Sequence, residues 1–185
     1  MAVKVLIPMA EGSEELEAVT LVNIFRRAGF EVVIAGPGEL VPIKCARGTV
    51  IVPNVTLDRA LREEYDLVVL PGGQPGTDNL MADERIIDLV RERARQDLYV
   101  AAICAAPMIL GKAGILEGKR ATSYPGSLDG MGLTGIDYRE EPVVVDGKII
   151  TSRGPGTAMD FALKLVEILA GAEVRSRVED GLQRP

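Results

Sequence analysis

A cysteine lies where a buried strand should give way to a helix. Residues 98–103 (LYVAAI) are mostly apolar and predict a buried strand, and the residues after Pro107 predict a helix. Cys104 would then stand at the open end of the strand, beside the free N–H groups that begin the helix. Such dipoles favour a thiolate over a thiol, which indicates a reactive sulfur. A buried, inert cysteine is the competing interpretation, and position alone does not choose between them.

The chain contains no histidine, so an imidazole cannot activate this thiol. Ser-His-Asp triads, Cys-His pairs and His-ligated zinc are therefore excluded. The two cysteines are far apart in the sequence, which argues against a structural zinc site. We expect neither a metal nor a cofactor.

Three acids begin the first predicted helix and are candidates for a proton carrier. Glu15 fits the ordinary preference for acids in a first helical turn. Glu14 and Glu17 lie on or near the apolar side of that helix, where burial would raise the pKa of a carboxyl group. A protonated carboxyl can donate a hydrogen bond to a thiolate or move a proton. Spacing alone leaves both Glu14 and Glu17 open.

Other candidates carry weaker signals. Gly72 and Gly73 follow a predicted core strand and form either a plain turn or a pair of backbone donors for an oxyanion. Arg153 follows another strand and would bind an anion or, more simply, form an ion pair. Cys45 lies in a loop-rich region, where we interpret it as a structural or surface thiol.

Composition limits the partners and the compartment. The net charge is −6 with basic residues scattered along the chain, so we expect neither nucleic acid nor an anionic membrane as a partner. The longest apolar stretch, 98–110, contains Pro107 and is shorter than the roughly 20 residues of a membrane span. The sequence enters a predicted strand at residue 2, so we expect no signal peptide. These features predict a cytoplasmic protein with free thiols.

The apolar runs predict an α/β fold in a single domain, residues 1–185. Short apolar runs alternate with longer amphipathic ones, which is typical of a parallel sheet with helices on both faces. Sites in such sheets form beyond the carboxyl ends of the strands. The predicted core strands are 3–7, 31–35, 66–70, 98–103 and 120–123, with a hairpin at Asp146-Gly147 and helices at 13–28, 57–63, 84–96 and 158–169.

Four segments in order, GSEELE (12–17), VVLPGG (68–73), AAICAAP (101–107) and TSRGPGT (151–157), give the chain a family resemblance. It resembles the ThiJ/PfpI superfamily, and within it the branch of the parkinsonism-associated deglycase and its bacterial relatives. The resemblance implies a flavodoxin-like three-layer sandwich with a mostly parallel sheet, and a homodimer.

The resemblance also implies roles for individual residues. Cys104 would be the reactive, oxidisable cysteine on a strained strand-to-helix nucleophile elbow. Glu17 would be the protonated glutamate beside it, which resolves the choice that spacing left open. Gly73 would supply the backbone N–H near the sulfur, with Gly72 beside it. Cys45 would be a second family cysteine near the dimer interface.

Activities credited to the family give two hypotheses. The first is a cofactor-free enzyme for small reactive carbonyls, which converts methylglyoxal to lactate or removes early glycation adducts. Cys104 would attack the aldehyde, the N–H groups of Gly73 and Ala105 would stabilise the oxyanion, and Glu17 would move a proton. The alternative is a redox-sensing stress protein or chaperone in which Cys104 is oxidised to a sulfinic acid.

Two positions depart from the family pattern. Ala105 stands where the protease-like branch has a histidine, so we do not expect a peptidase. Tyr124 stands before a proline where several close relatives have a histidine. We therefore place Tyr124, with Gly72 and Arg153, among the predicted substrate-binding residues. Tyr124 would either hydrogen-bond a substrate oxygen or simply line the cleft.

Overall fold

Strands and helices alternate along the computed structural model, which describes residues 2–184. The strands are β1 (Lys4–Pro8), β2 (Glu31–Gly36), β3 (Ile43–Lys44), β4 (Val50–Ile51), β5 (Val55–Thr56), β6 (Leu67–Leu70), β7 (Tyr99–Ile103), β8 (Arg120–Ala121), β9 (Asp137–Tyr138), β10 (Val143–Asp146) and β11 (Ile149–Ser152). The helices are α1 (Glu15–Arg27), α2 (Leu57–Ala60), α3 (Gly76–Ala82), α4 (Glu84–Arg95), α5 (Pro107–Lys112), α6 (Ala158–Ala170) and α7 (Ala172–Asp180).

One seven-stranded sheet forms the middle layer, in the order β10-β11-β7-β6-β1-β2-β5. Every neighbouring pair is parallel except β10 and β11, which form the antiparallel hairpin predicted at Asp146-Gly147. The predicted α/β fold with a mostly parallel sheet is therefore confirmed, and a flavodoxin-like sandwich is consistent with it. The first and last residues of the predicted domain lie outside the described residues.

Helices cover both faces of this sheet. Side chains alternate along each strand, so Val5 and Ile7 face one core while Leu6 faces the other. The first core contains the apolar faces of α1 and α6, and the second contains those of α2 to α5. Burial on both faces explains why β6 is a continuous apolar run, with all four side chains buried.

Some predicted elements were wrong or missing. Residues 120–123 do not form a core strand, because β8 pairs only with β9 in a separate two-stranded sheet. The place beside β7 belongs to β11, whose four residues are all buried. The sequence prediction also missed α3, α7, β5 and β9. Gly-rich residues precede α3, and α7 begins directly after Gly171, the residue that ends α6.

Within residues 2–184, the helices are too short or too polar to span a bilayer.

Candidate active site

The thiol lies on a strained elbow between β7 and α5. Cys104 has φ +65°, a left-handed conformation that non-glycine residues rarely adopt. Its N–H donates to the carbonyl of Ser152 (3.0 Å), and its own carbonyl accepts the N–H of Tyr124 (2.7 Å). Both backbone groups are therefore held by other segments, which fixes the strained conformation. The elbow predicted at Cys104 is present, and the residue is only 9% exposed.

Glu17 of α1 is the carboxyl group beside this thiol. It is fully buried, and its Oε2 accepts the N–H of Gly72 at 2.7 Å. Its Oε1 has no hydrogen-bond partner among residues 2–184. Burial raises the pKa of Glu17 to about 7, although the Gly72 hydrogen bond and the Cys104 contact both lower it. Glu14 precedes α1 and contributes a smaller upward effect on that pKa.

The pKa of the Cys104 thiol is raised, contrary to the thiolate expected at a helix start. Burial raises it most, and the charge of Glu17 adds to this effect, whereas the N–H groups of Gly73 and Ala105 lower it. The helix α5 has six residues, and burial outweighs the dipoles at its start. Because each group shifts the pKa of the other, Glu17 and Cys104 titrate as a pair. Because the pKa of the thiol is the higher of the two, the first proton leaves Glu17 and Cys104 keeps its own.

Gly72 and Gly73 serve different purposes in this arrangement. A Cβ at Gly72 would lie 2.6 Å from the Cβ of Cys104, so no side chain fits there. The N–H of Gly72 already binds Glu17, which makes Gly72 a support for the carboxyl group and not the free donor to substrate that the sequence suggested. Gly73 has φ +90°, and its N–H and that of Ala105 lower the pKa of the Cys104 thiol.

Tyr124 and Arg153 lie on the two segments that hold the elbow. Tyr124 is 53% exposed, and its ring lies beside Gly154. The Arg153 guanidinium donates to the carbonyl of Glu140 at 3.2 Å. Within the described part of the chain Arg153 is in no ion pair, so the simple ion pair considered for it does not form. Both side chains are partly open to solvent next to the thiol's backbone.

A second buried cluster lies on the far side of the start of α1. The Glu15 carboxylate accepts the N–H of Arg47 (3.0 Å) and of Thr49 (3.2 Å). Burial opposes its ionisation, but these hydrogen bonds prevail and lower the pKa of Glu15. Burial and the charges of Glu15 and Glu14 raise the pKa of Cys45 to about 11. Helix-dipole reasoning could not reveal these contacts of Glu15, because its partners lie more than 30 residues away.

Between residues 2 and 184, histidine, cysteine and acidic side chains form no group of three or more that could hold a metal ion. Both cysteines are free.

Known proteins with similar sequences share the architecture of this chain and identify its family. The Drosophila melanogaster protein dj-1beta is 40% identical over 183 residues, or 98% of this chain and 97% of that protein. Its crystal structure matches with a TM-score of 0.94 at 40% identity and covers 100% of both chains. The structure of oxidized Toxoplasma gondii DJ-1 matches with a TM-score of 0.90 at 35% identity, over 98% of each chain.

A third relative carries an activity in its name. The Caenorhabditis elegans protein named glutathione-independent glyoxalase DJR-1.2 is 37% identical over 169 residues, or 91% of this chain and 89% of that protein. The sequence pattern of the DJ-1/PfpI family matches residues 3–168. With most of its length matched in this way, the chain belongs to the DJ-1/PfpI family.

Proposed function

We propose that this chain is a cofactor-free enzyme that uses Cys104 to act on small reactive carbonyls, such as methylglyoxal or early glycation adducts. One observation carries the proposal: Gly72 donates its N–H to the buried Glu17 carboxyl at 2.7 Å, and a Cβ at Gly72 would lie 2.6 Å from the Cβ of Cys104 and 3.0 Å from the nitrogen of Ala105. The thiol, the carboxyl and the N–H groups of Gly73 and Ala105 therefore meet at one place. Together these groups provide a nucleophile, a proton carrier and oxyanion donors. The glyoxalase name of the nematode relative supports the same chemistry.

The reaction begins with a proton transfer between Cys104 and Glu17. Glu17 takes the thiol proton, and the Cys104 sulfur attacks the aldehyde carbon of methylglyoxal to form a C–S bond. The aldehyde C=O π bond becomes an oxyanion, which the N–H groups of Gly73 and Ala105 stabilise. Protonation of that oxygen gives a hemithioacetal. The pKa of Glu17, raised by burial to about 7, suits a group that must both accept and donate a proton near neutral pH.

Glu17 then moves a proton between the two substrate carbons. Removal of the C1 proton gives an enediol, and return of a proton to C2 leaves a thioester of lactate on Cys104. Water hydrolyses the thioester, which releases lactate and restores the thiol. The balance is one methylglyoxal and one water consumed for one lactate formed, so no redox cofactor is required. Tyr124 and Arg153 flank the elbow and are proposed to contact substrate oxygens.

The decisive experiment is incubation with methylglyoxal and identification of the product by NMR. We expect lactate from the wild type and none from Cys104→Ala. Cys45→Ala is the matched control, because it removes the other free thiol, and it should retain turnover. Absence of lactate from a folded wild-type protein would reject the carbonyl enzyme.

One observation favours a redox-sensing stress protein as the second candidate. Glu17 Oε1 is buried without a hydrogen-bond partner within residues 2–184, so a protonated carboxyl could donate from there to an oxidised sulfur. The solved structure of the Toxoplasma relative is of an oxidized form. Peroxide would be the oxidant. Mild peroxide treatment followed by intact mass should then add two oxygen atoms to wild type and none to Cys104→Ala.

We also propose that the chain forms a homodimer in the cytoplasm. Four large apolar side chains on α1 and in or next to β4 are at least half exposed: Leu16, Val19, Val50 and Val52. Apolar groups on two neighbouring elements indicate a surface that a partner covers. Analytical ultracentrifugation tests this assignment, and Val50→Asp should produce monomers if these side chains form the interface.

A further inference from the structure

The turn that leads into α1, residues 12–14, packs with its backbone directly against the loop 72–76. The N–H of Glu14 donates to the carbonyl of Gly72 at 2.9 Å. A Cβ at Gly76 would lie 2.2 Å from the nitrogen of Ser13 and 2.5 Å from the carbonyl carbon of Gly12. Real Cβ atoms do not approach other atoms so closely. The two segments can therefore keep this separation only while residue 76 has no side chain.

Glycine at position 76 is not required by backbone conformation. Gly73 has φ +90°, whereas Gly76 is outside the left-handed region and is the first residue of α3. Alanine is intrinsically more favourable than glycine in a helix, by about 1 kcal/mol at interior positions. Space is therefore the physical reason for a glycine here, and the neighbour that needs the space is the turn 12–14.

This turn determines where Glu17 lies. The side chain of Glu14, which caps α1, makes no capping hydrogen bond, so contacts with other segments orient the start of the helix. The loop 72–76 provides those contacts on one side. On the other side, the Glu15 carboxylate binds the N–H groups of Arg47 and Thr49. The turn is held between the two segments.

The same loop also carries the donors of the active site. Gly72 donates to Glu17 Oε2 at 2.7 Å, and the N–H of Gly73 acts on the sulfur of Cys104. A change in the separation of the loop and the turn would therefore change the Glu17–Gly72 hydrogen bond and the Glu17–Cys104 contact together.

We propose that Gly76 is a positioning residue for the Glu17–Cys104 pair. It touches no reacting atom, and it acts by letting the turn 12–14 approach the loop closely enough for Glu17 to reach both Gly72 and Cys104. The inference rests on the pair described under the proposed function, but not on the identity of the substrate.

The test compares Gly76→Ala with Gly38→Ala, a matched control. Gly38 is also outside the left-handed region, and a Cβ there would meet nothing within 4 Å. The measurement is the rate of Cys104 alkylation by iodoacetamide as a function of pH, read on the Cys104 peptide by mass spectrometry so that Cys45 does not interfere. Glu17→Gln supplies the profile of a protein whose carboxyl can no longer ionise.

We expect the midpoint of the Gly76→Ala profile to move by at least half of the separation between wild type and Glu17→Gln. The Gly38→Ala profile should coincide with that of wild type. A folded Gly76→Ala protein with the wild-type midpoint would overturn the inference. Coincident profiles of wild type and Glu17→Gln would also overturn it, because there would be no coupling for Gly76 to maintain.

A second pair of variants decides the matter if Gly76→Ala does not fold. Glu15→Ala removes the side-chain contacts that bind the start of α1 to residues 47 and 49, whereas Glu15→Gln removes the charge and keeps an acceptor oxygen. We expect Glu15→Ala to shift the Cys104 profile in the direction of Glu17→Gln, and Glu15→Gln to shift it by less than half as much. Equal shifts would mean that charge and not position controls the thiol, and an unshifted Glu15→Ala profile would contradict positioning directly.

Failure of the positioning role differs visibly from failure of the proposed enzyme. A wild-type protein that makes no lactate but has a Glu17-dependent and Gly76-dependent alkylation profile refutes the enzyme alone. A wild-type protein that makes lactate while Gly76→Ala keeps both the profile and the turnover refutes the positioning role alone.

Discussion

Burial of Glu17 should make the stability of the protein depend on pH in a way that Glu17→Gln removes. The pKa of Glu17 is about 7 in the folded protein, against an ordinary value of 4.5. Below 4.5 the carboxyl is protonated in both the folded and the unfolded chain. Between 4.5 and about 7 the unfolded chain loses this proton while the folded chain keeps it, so the free energy of unfolding falls as pH rises. Above that range the two states carry the same charge, and the fall stops.

The size of the effect follows from the difference between the two pKa values. It corresponds to a loss of about 3 kcal/mol of stability across this pH range. A glutamine side chain at this position resembles the protonated carboxyl in shape and has no charge to gain. The free energy of unfolding of Glu17→Gln should therefore equal that of wild type at about pH 4 and exceed it by about 3 kcal/mol at about pH 8.

Urea unfolding followed by circular dichroism at several pH values measures this difference. The useful quantity is the free energy of unfolding of the variant minus that of wild type, because titrations elsewhere in the chain cancel. A difference that is constant from acid to alkaline pH would refute the reasoning. In a Cys104→Ala background, the free energy of unfolding of the protein that keeps Glu17 should fall further between acid and alkaline pH. The reason is that contact with the thiol lowers the pKa of Glu17, and the substitution removes this contact.

Two further substitutions test other parts of the structure. Gly72→Ala places a Cβ 2.6 Å from the Cβ of Cys104. We expect the free energy of unfolding to fall by about 1–3 kcal/mol and the alkylation of Cys104 to be lost. Unchanged urea unfolding and unchanged alkylation would contradict that contact. The buried Arg93 donates to three backbone carbonyls, those of Tyr65, Asp66 and Tyr99. Arg93→Met leaves them without these donors and should cost at least about 3 kcal/mol in urea unfolding, with little change in Cys104 alkylation.

The sequence was sufficient for the elbow but not for its surroundings. An apolar run that ends at Cys104, followed by Pro107, is a local signal, and the structure has a strand, a strained residue and a helix there. The choice between Glu14 and Glu17 was not local, since both lie near the apolar side of one helix. The family resemblance selected Glu17, and in the structure the loop carrying Gly72 gives that residue the buried hydrogen bond.

Competition between distant segments explains the wrong strand. Residues 120–123 (RATS) contain only one apolar side chain, and the buried run of β11 takes the place beside β7. Which segment pairs with β7 depends on contacts between strands that are distant in the sequence. The contacts of Glu15 were hidden for the same reason, because its donors belong to residues 47 and 49.

The backbone contacts of Cys104 have a consequence for the order in which the protein acquires its reactive group. The carbonyl of Ser152, which accepts the Cys104 N–H, and the N–H of Tyr124 both belong to parts of the chain synthesised after the cysteine itself. A nascent chain that has just emerged beyond α5 lacks both partners that fix the strained backbone. The thiol is therefore an ordinary cysteine during synthesis and gains its special environment only when β11 docks beside β7.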